Sequence, residues 1–268
     1  MSKLDLQPYQ SDPKALTAQK LQFCGVSFHN ENVESLVQRV FRTGGDVLVP
    51  AAPAFANILD DAEYHTALRD GNYVIFDSGL LALLCALKYR RPISRISGLR
   101  LLDYMFLSGG RRLIDGARIL WVVPDELEAK RIEDWIGKLD FERALQSFYI
   151  APMYRRPPDF SDQQLVVRIA EMHPDVIIVC IGGGGQEKLA WNIKRMMPSC
   201  PPIICTGAAI SFLTGSQAHI PKWVDRACMG WLWRILDEPK KFGPRYGGTL
   251  WNLPRMLWHY HRMHGSLN

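Results

Sequence analysis

The sequence predicts an α/β fold: a Rossmann-like parallel sheet covered by helices, with a C-terminal helical appendage that associates with membranes. Three observations carry this expectation. Short, continuously apolar runs recur along the chain, each followed by a stretch with helical spacing, as in a parallel sheet buried on both faces. The most apolar run leads straight into four consecutive glycines, Gly182, Gly183, Gly184 and Gly185. The whole positive excess of the chain lies in its last sixth.

Composition narrows the field. The 268 residues are 47% apolar and 22% charged, with a net charge of +5, which excludes a disordered chain. No run of about 18 uncharged apolar residues is present, so no ordinary membrane-spanning helix is expected. Residues 1–22 are polar, with Asp5, Pro8, Asp12 and Pro13, and read as a loose leader rather than a signal or transit peptide. A cytoplasmic location follows as the expectation. The six cysteines lie mostly in apolar runs without a CxxC pair. They read as small buried hydrophobes, with a zinc site or disulfide scaffold as the alternative.

The elements follow in order. Residues 46–50 form a buried strand ending at Pro50, and residues 55–68 have helical spacing through Ile58, Leu59, Ala62 and Leu68. A strand at 72–76 is closed by Asp77-Ser78-Gly79, and 80–87 follows as an apolar helix. Residues 118–124 form a third strand and 126–139 an amphipathic helix carrying Leu127, Ile132, Trp135 and Ile136. A short strand at 146–150, a loop at 152–158 and a helix at 163–172 precede the strand at 175–181. After the glycines a helix enters at Gln186; a last strand, 202–205, ends in Thr206-Gly207. The expected division is a leader (1–22), a Rossmann-like core (23–220) and a basic, Trp-rich appendage (221–268).

The charge arithmetic separates that appendage. Residues 222–262 hold eight basic and three acidic residues, whereas the remainder balances at 24 of each. Five of the eight tryptophans fall in the same stretch. Indole rings interleaved with Lys and Arg suit the headgroup level of a bilayer; a nucleic-acid surface is the rival reading. Residues 223–236 have helical spacing, read either as an interfacial helix or as one packed on its own core. Deleting the chain from Pro221 onward is expected to leave a folded core.

Open parallel sheets bind ligands at the carboxyl ends of their strands. There the sequence places Asp77, the four glycines, Thr206 and Gly207. The glycine run fits a phosphate cradle at a helix start, or simply a tight strand-to-helix turn; it lacks the GK[ST] ending of a P-loop. Asp77 reads as a general base or as the cap of the following helix. No metal-ligand cluster stands out.

Several blocks together resemble the WecG/TagA/CpsF glycosyltransferases, glycosyltransferase family 26, over about residues 22–260. They are the 49–55 stretch Val-Pro-Ala-Ala-Pro-Ala-Phe, Phe76-Asp-Ser-Gly79, Ile93-Ser-Arg-Ile-Ser-Gly98 and Ile181-Gly-Gly-Gly-Gly-Gln-Glu-Lys188. Pro221-Lys-Trp-Val, Gly230-Trp-Leu-Trp-Arg234, Glu238-Pro239 and Arg245-Tyr246 continue the likeness in order. The resemblance implies an inverting, metal-independent transfer of a sugar from a UDP-sugar to a polyprenyl-diphosphate-linked sugar. The work takes place at the inner face of the cytoplasmic membrane, in cell-surface or exopolysaccharide synthesis. It makes Asp77 the general base and Arg95 a diphosphate ligand, and puts Gln186 in the donor pocket, with Gly182 to Gly185, Thr206 and Gly207 along the nucleotide. Arg226 and Arg234 of the appendage would meet diphosphate or lipid, or else form a solvated helix face. No cofactor or metal is expected, nucleic acid is not an expected partner, and a homo-oligomer is compatible with the pattern.

Departures from the family's pattern bear on the donor. Pro50 and Ala52 stand where Thr and Asn are usual, and Arg100 and Ser211 where Asp is usual. A hexose without an N-acetyl group, as in UDP-glucose, is therefore the preferred donor. The same departures raise the alternative of a catalytically inactive nucleotide-sugar-binding scaffold in a polysaccharide assembly complex.

Overall fold

The computed structural model describes residues 19–142, 145–154, 160–216, 230–237 and 239–264. Among them, eight strands form one sheet in the order β1-β2-β4-β3-β8-β7-β5-β6. The strands are β1 (Gln19–Phe23), β2 (Val26–Asn30), β3 (Asp46–Leu48), β4 (Tyr73–Ile75), β5 (Ile119–Val123), β6 (Gln146–Ile150), β7 (Val176–Val179) and β8 (Ile203–Cys205). All neighbours from β2 to β6 run parallel. The central strands are buried throughout, which is why they read as unbroken apolar runs rather than alternating ones.

The one antiparallel pair is β1 with β2, a hairpin in the register Phe23 with Val26. Its two-residue loop, Cys24-Gly25, has both residues at positive φ (50° and 75°), as a hairpin turn matched to strand twist requires. The sheet thus begins at Gln19, inside the stretch expected to be leader; Leu21 and Phe23 are already core residues.

Helices fill the connections. After α1 (Val33–Thr43), the 55–68 helix expected from spacing proves to be two, α2 (Ala52–Phe55) and α3 (Ala62–Asp70). The break has a local cause. Asn57 Nδ2 donates back to the Pro53 carbonyl, and the Asp61 carboxylate accepts the Tyr64 amide, so a new helix is capped there. Next come α4 (Gly79–Tyr89), α5 (Gly98–Leu107), α6 (Arg111–Ile114), α7 (Glu126–Gly137), α8 (Gln163–Met172), α9 (Gly185–Met196) and α10 (Ile210–Leu213). Contacts of α5 with α1 and α10, and of α10 with α7, place these helices on one face of the sheet, while α3 and α9 pack together on the other.

Of the expected 223–236 helix, residues 230–237 are described, as α11 (Gly230–Asp237); it lies against α4. The chain then forms α12 (Pro239–His264), which continues through Pro244 and Pro254. Helix α12 is fastened to α2 and the α2–α3 segment: Asn252 donates to Asn57, Arg255 pairs with Asp60, and Tyr260 bonds His65. Its Leu253 and Met256 belong to the main apolar core. Removing everything from Pro221 would therefore uncover the core surface under Leu253 and Met256. Met256→Ala should cost about 2–5 kcal/mol in urea unfolding, as for a buried methionine. Trp258→Ala, on the exposed side of the same helix, should stay within about 0.5 kcal/mol.

Candidate functional site

Four adjacent parallel strands, β4, β3, β8 and β7, end on the same edge. The residues that follow them are Asp77, Ala51, Thr206-Gly207 and the glycine turn. At about 4.8 Å per strand spacing, Asp77 and the start of the glycine turn lie three spacings, or roughly 14 Å, apart.

Asp77 is half-buried, one residue past the bridge between Phe76 and Arg95. It does not cap α4, whose N-cap is Ser78 without a side-chain bond. Its Oδ1 instead accepts the Gly98 amide (3.1 Å), the first residue of α5, so a carboxylate sits at a helix N-terminus where the dipole favours it. Arg95 donates from Nε to the Asp77 carbonyl (2.9 Å), and Arg100 donates to the Arg95 carbonyl. The fold thus brings Asp77 and Arg95 together.

Gly98 links this corner to the next strand. A Cβ built on it would stand 2.4 Å from the Thr206 carbonyl oxygen, so only glycine allows α5 to approach β8 this closely. Thr206 is itself buried and donates from Oγ1 to the Val179 carbonyl, so its side chain is an internal tie. The next amide, Gly207 N, donates to Gln186 Oε1 at 2.8 Å.

Gln186 and Glu187 turn this edge into one connected unit. Gln186 is 1% exposed, and its Nε2 donates to Glu187 Oε1 (2.9 Å) while its Oε1 holds Gly207. Both amide ends are thus spent inside the protein. Glu187 Oε2 accepts the Gly184 amide at 2.7 Å, pinning a residue whose φ of +92° favours glycine. Gly183 and Gly184 face Ala51 and Ala54, and Gly185 faces the Phe160 ring. Lys188 spans from that ring to Asp61, the cap of α3.

Burial pushes the Glu187 carboxyl up to about 7, with hydrogen bonds from the Gln186 side chain, its own backbone amide and the Gly184 amide opposing the rise and the Asp77 charge adding to it. Beside it lies the Tyr64 hydroxyl, fully buried and without a hydrogen-bond partner among the described residues. Burial, with Glu187 and Asp61 close by, drives that phenol far above its ordinary value. Neither Glu187 as a holding group nor Tyr64 was singled out from sequence. A glutamate beside Gln186 at the third position of a helix following glycine was the available signal for the first.

Position 211 gives a second finding. Ser211 stands where an Asp was expected, yet its hydroxyl donates to the buried Glu128 at 3.1 Å. A carboxylate therefore occupies this end of β8 after all, delivered from α7. In the appendage, Arg234 lies on α11, and Arg226 lies outside the described residues. No group of three or more His, Cys, Asp or Glu among the described residues is arranged to hold a metal. No described helix is long and apolar enough to cross a membrane.

An open, mostly parallel sheet with helices on both faces, and with a glycine turn, a helix start and a carboxylate gathered on its carboxyl edge, defines a doubly wound α/β protein, the class whose ligands lie at that edge. The comparison with protein families specifies it: residues 21–266 match the glycosyl transferase WecG/TagA/CpsF family, and the chain belongs to that family. It is also 27% identical over 95 residues to the N-acetylglucosaminyldiphosphoundecaprenol N-acetyl-beta-D-mannosaminyltransferase of Bacillus subtilis (strain 168). That match covers 33% of this chain and 37% of the relative.

The Glu187 geometry has a measurable consequence. Between the ordinary value near 4.5 and about 7, the native state holds a proton that the unfolded chain has released, so this group's contribution to stability is lost as pH rises through that window. His29, buried and lowered to about 4, acts in the opposite sense and is lost as pH falls below 6.5. Comparing wild type with Glu187→Gln isolates the first. The melting-temperature advantage of the wild type should be largest near pH 5 and shrink by several degrees towards pH 8. A gap independent of pH would show that Glu187 is not held protonated.

Proposed function

We propose that the protein is an inverting glycosyltransferase that moves a hexose from a UDP-sugar to a polyprenyl-diphosphate-linked sugar, in cell-surface or exopolysaccharide synthesis. The observation that carries this reading is the half-buried Asp77 carboxylate on the same strand-end edge as the glycine turn, with Arg95 fastened beside it. Family membership and the lipid-diphosphate substrate in the relative's name support it.

In this reading an acceptor hydroxyl approaches Asp77. The carboxylate takes its proton as the oxygen attacks the anomeric carbon, and the bond from that carbon to the UDP oxygen breaks on the opposite face. The nucleotide lies along the glycine turn and Gly207. Gln186 works from behind, by holding the two loops in register, rather than as a donor contact. Arg95, with Arg226 and Arg234 of the appendage, takes the charge that builds on the departing diphosphate, the task a metal would otherwise perform. The appendage meets the inner membrane face: Trp251 and Trp258 lie seven residues apart on α12, 82% and 61% exposed, and Arg262 lies over the Trp258 ring.

Pro50 and Ala52 remove two polar groups from the β3 end, and this favours UDP-glucose or a similar hexose donor over an N-acetylated one. The same loss favours, as a second reading, an inactive nucleotide-sugar-binding scaffold. UDP release, measured with panels of UDP-sugars and lipid-linked acceptors, separates the two. Asp77→Asn should lower turnover by about 10²–10⁴-fold while leaving UDP-sugar affinity within a few-fold. Full turnover in that variant would remove Asp77 from the chemistry, and an inert wild type would leave the scaffold.

A further inference from the structure

Helix α4 begins two residues after Asp77, and its outer face is made of leucine. Leu81, Ala82 and Cys85 point into the core. On the other side Leu83 and Leu87 are 53% and 67% exposed, and Leu80 and Leu84 are half-buried. Positions 80, 83, 84 and 87 form one stripe at helical spacing. A helix on a water-facing surface carries polar residues there; α4 has none before Lys88.

Charge completes the pattern. Residues 79–91 contain no acid, and the helix ends in Lys88, Arg90 and Arg91 around Tyr89. Lys88 and Arg91 lie over the Tyr89 ring, whose hydroxyl donates to the Gln22 carbonyl, so the basic end is braced against the edge hairpin. A further exposed leucine, Leu236 at 70%, belongs to α11, which packs beside α4.

We infer that the leucine stripe of α4 is a lipid-docking surface of the core itself, seated in the outer apolar layer of an anionic bilayer with Lys88 and Arg90 at its phosphates. The occupant follows from charge complementarity: an apolar stripe, a flanking tyrosine and a helix whose residues 79–91 carry cations and no carboxylate match acyl chains beneath anionic headgroups, the acid next to Leu236 being Asp237 at the end of α11. The inference deepens the proposed function and rests on it for its purpose. Burying α4 sets Asp77, at the N-terminal end of an 11-residue helix about 16 Å long, close to the level of a lipid-linked diphosphate.

The test uses the full chain carrying Leu83→Gln and Leu87→Gln, co-sedimented with phosphatidylcholine vesicles with and without 30% phosphatidylglycerol. Both positions face outward, so the melting temperature should hold within a few degrees. Partitioning to anionic vesicles should fall at least tenfold, and Lys88→Gln with Arg90→Gln should weaken the preference for anionic over neutral vesicles, leaving the share that the appendage supplies. Turnover of a water-soluble, short-chain acceptor should be unchanged in the leucine variant, whereas turnover of a vesicle-embedded acceptor should fall with binding. Wild-type partitioning in the leucine variant would overturn the inference. So would conversion of a lipid-free dimer to a monomer with vesicle binding intact, which would make the stripe a contact between copies. Leucine-dependent vesicle binding by a protein without transferase activity would sustain this inference while defeating the proposed function.

Discussion

The buried side chains of Gln186 and Glu187 tie together loops that the sheet alone leaves independent. Parallel strands end side by side, but the turns beyond them have no ladder to hold them. Here one carboxylate takes an amide of the glycine turn and one amide side chain, and that side chain takes an amide of the loop after β8. Because both residues are excluded from water, each bond is made at low dielectric, and a missing partner would leave a buried polar group unsatisfied. The loop after β8 in turn abuts Gly98, whose amide holds Asp77. The glycine turn, the β8 loop and the carboxylate are therefore one continuous structure, and movement in any part is felt at Asp77.

This explains the division of labour between conspicuous and inconspicuous residues. Gln186 and Thr206 lie in motif-like surroundings and invite a role as ligand contacts, yet their polar groups face inward. They set the shape of the edge from beneath, while Asp77, half-buried with the Gly98 amide on its Oδ1, lies nearer the surface of that edge. Ser211, short as it is, is met from α7 by Glu128, whose carboxylate accepts its hydroxyl.

The legible part of the fold was whatever depends on local pattern. Continuously apolar runs located β3 to β8 to within a residue or two, while β1 and β2 went unnamed, and Asp77, the glycine turn and Thr206-Gly207 were legible as strand ends. Where short polar side chains decide, periodicity misled: Ile58, Leu59, Ala62 and Leu68 keep helical spacing across 55–68, but Asn57 and Asp61 stop one helix and start another. Helix α12 stayed hidden because Gly243, Pro244, Gly247, Gly248 and Pro254 all argue against a helix by propensity. Its tertiary contacts, Leu253 and Met256 in the core and three polar links to the α2–α3 segment, outweigh that. The holding role of Glu187 was illegible because burial, not residue type, creates it.

The position of α12 has a consequence for how a lipid-side event would reach the chemistry. Its anchors fall on Asn57, Asp60 and His65. The same segment contains Asp61, which caps α3 and pairs with Lys188 of α9, and Tyr64, whose buried hydroxyl is within electrostatic reach of Glu187. The helix with its tryptophans outward is thus clamped to the element that backs the glycine turn. A force applied to the outward face of α12 would therefore be carried through the α2–α3 segment to α9, the helix that begins at the glycine turn, as one connected set.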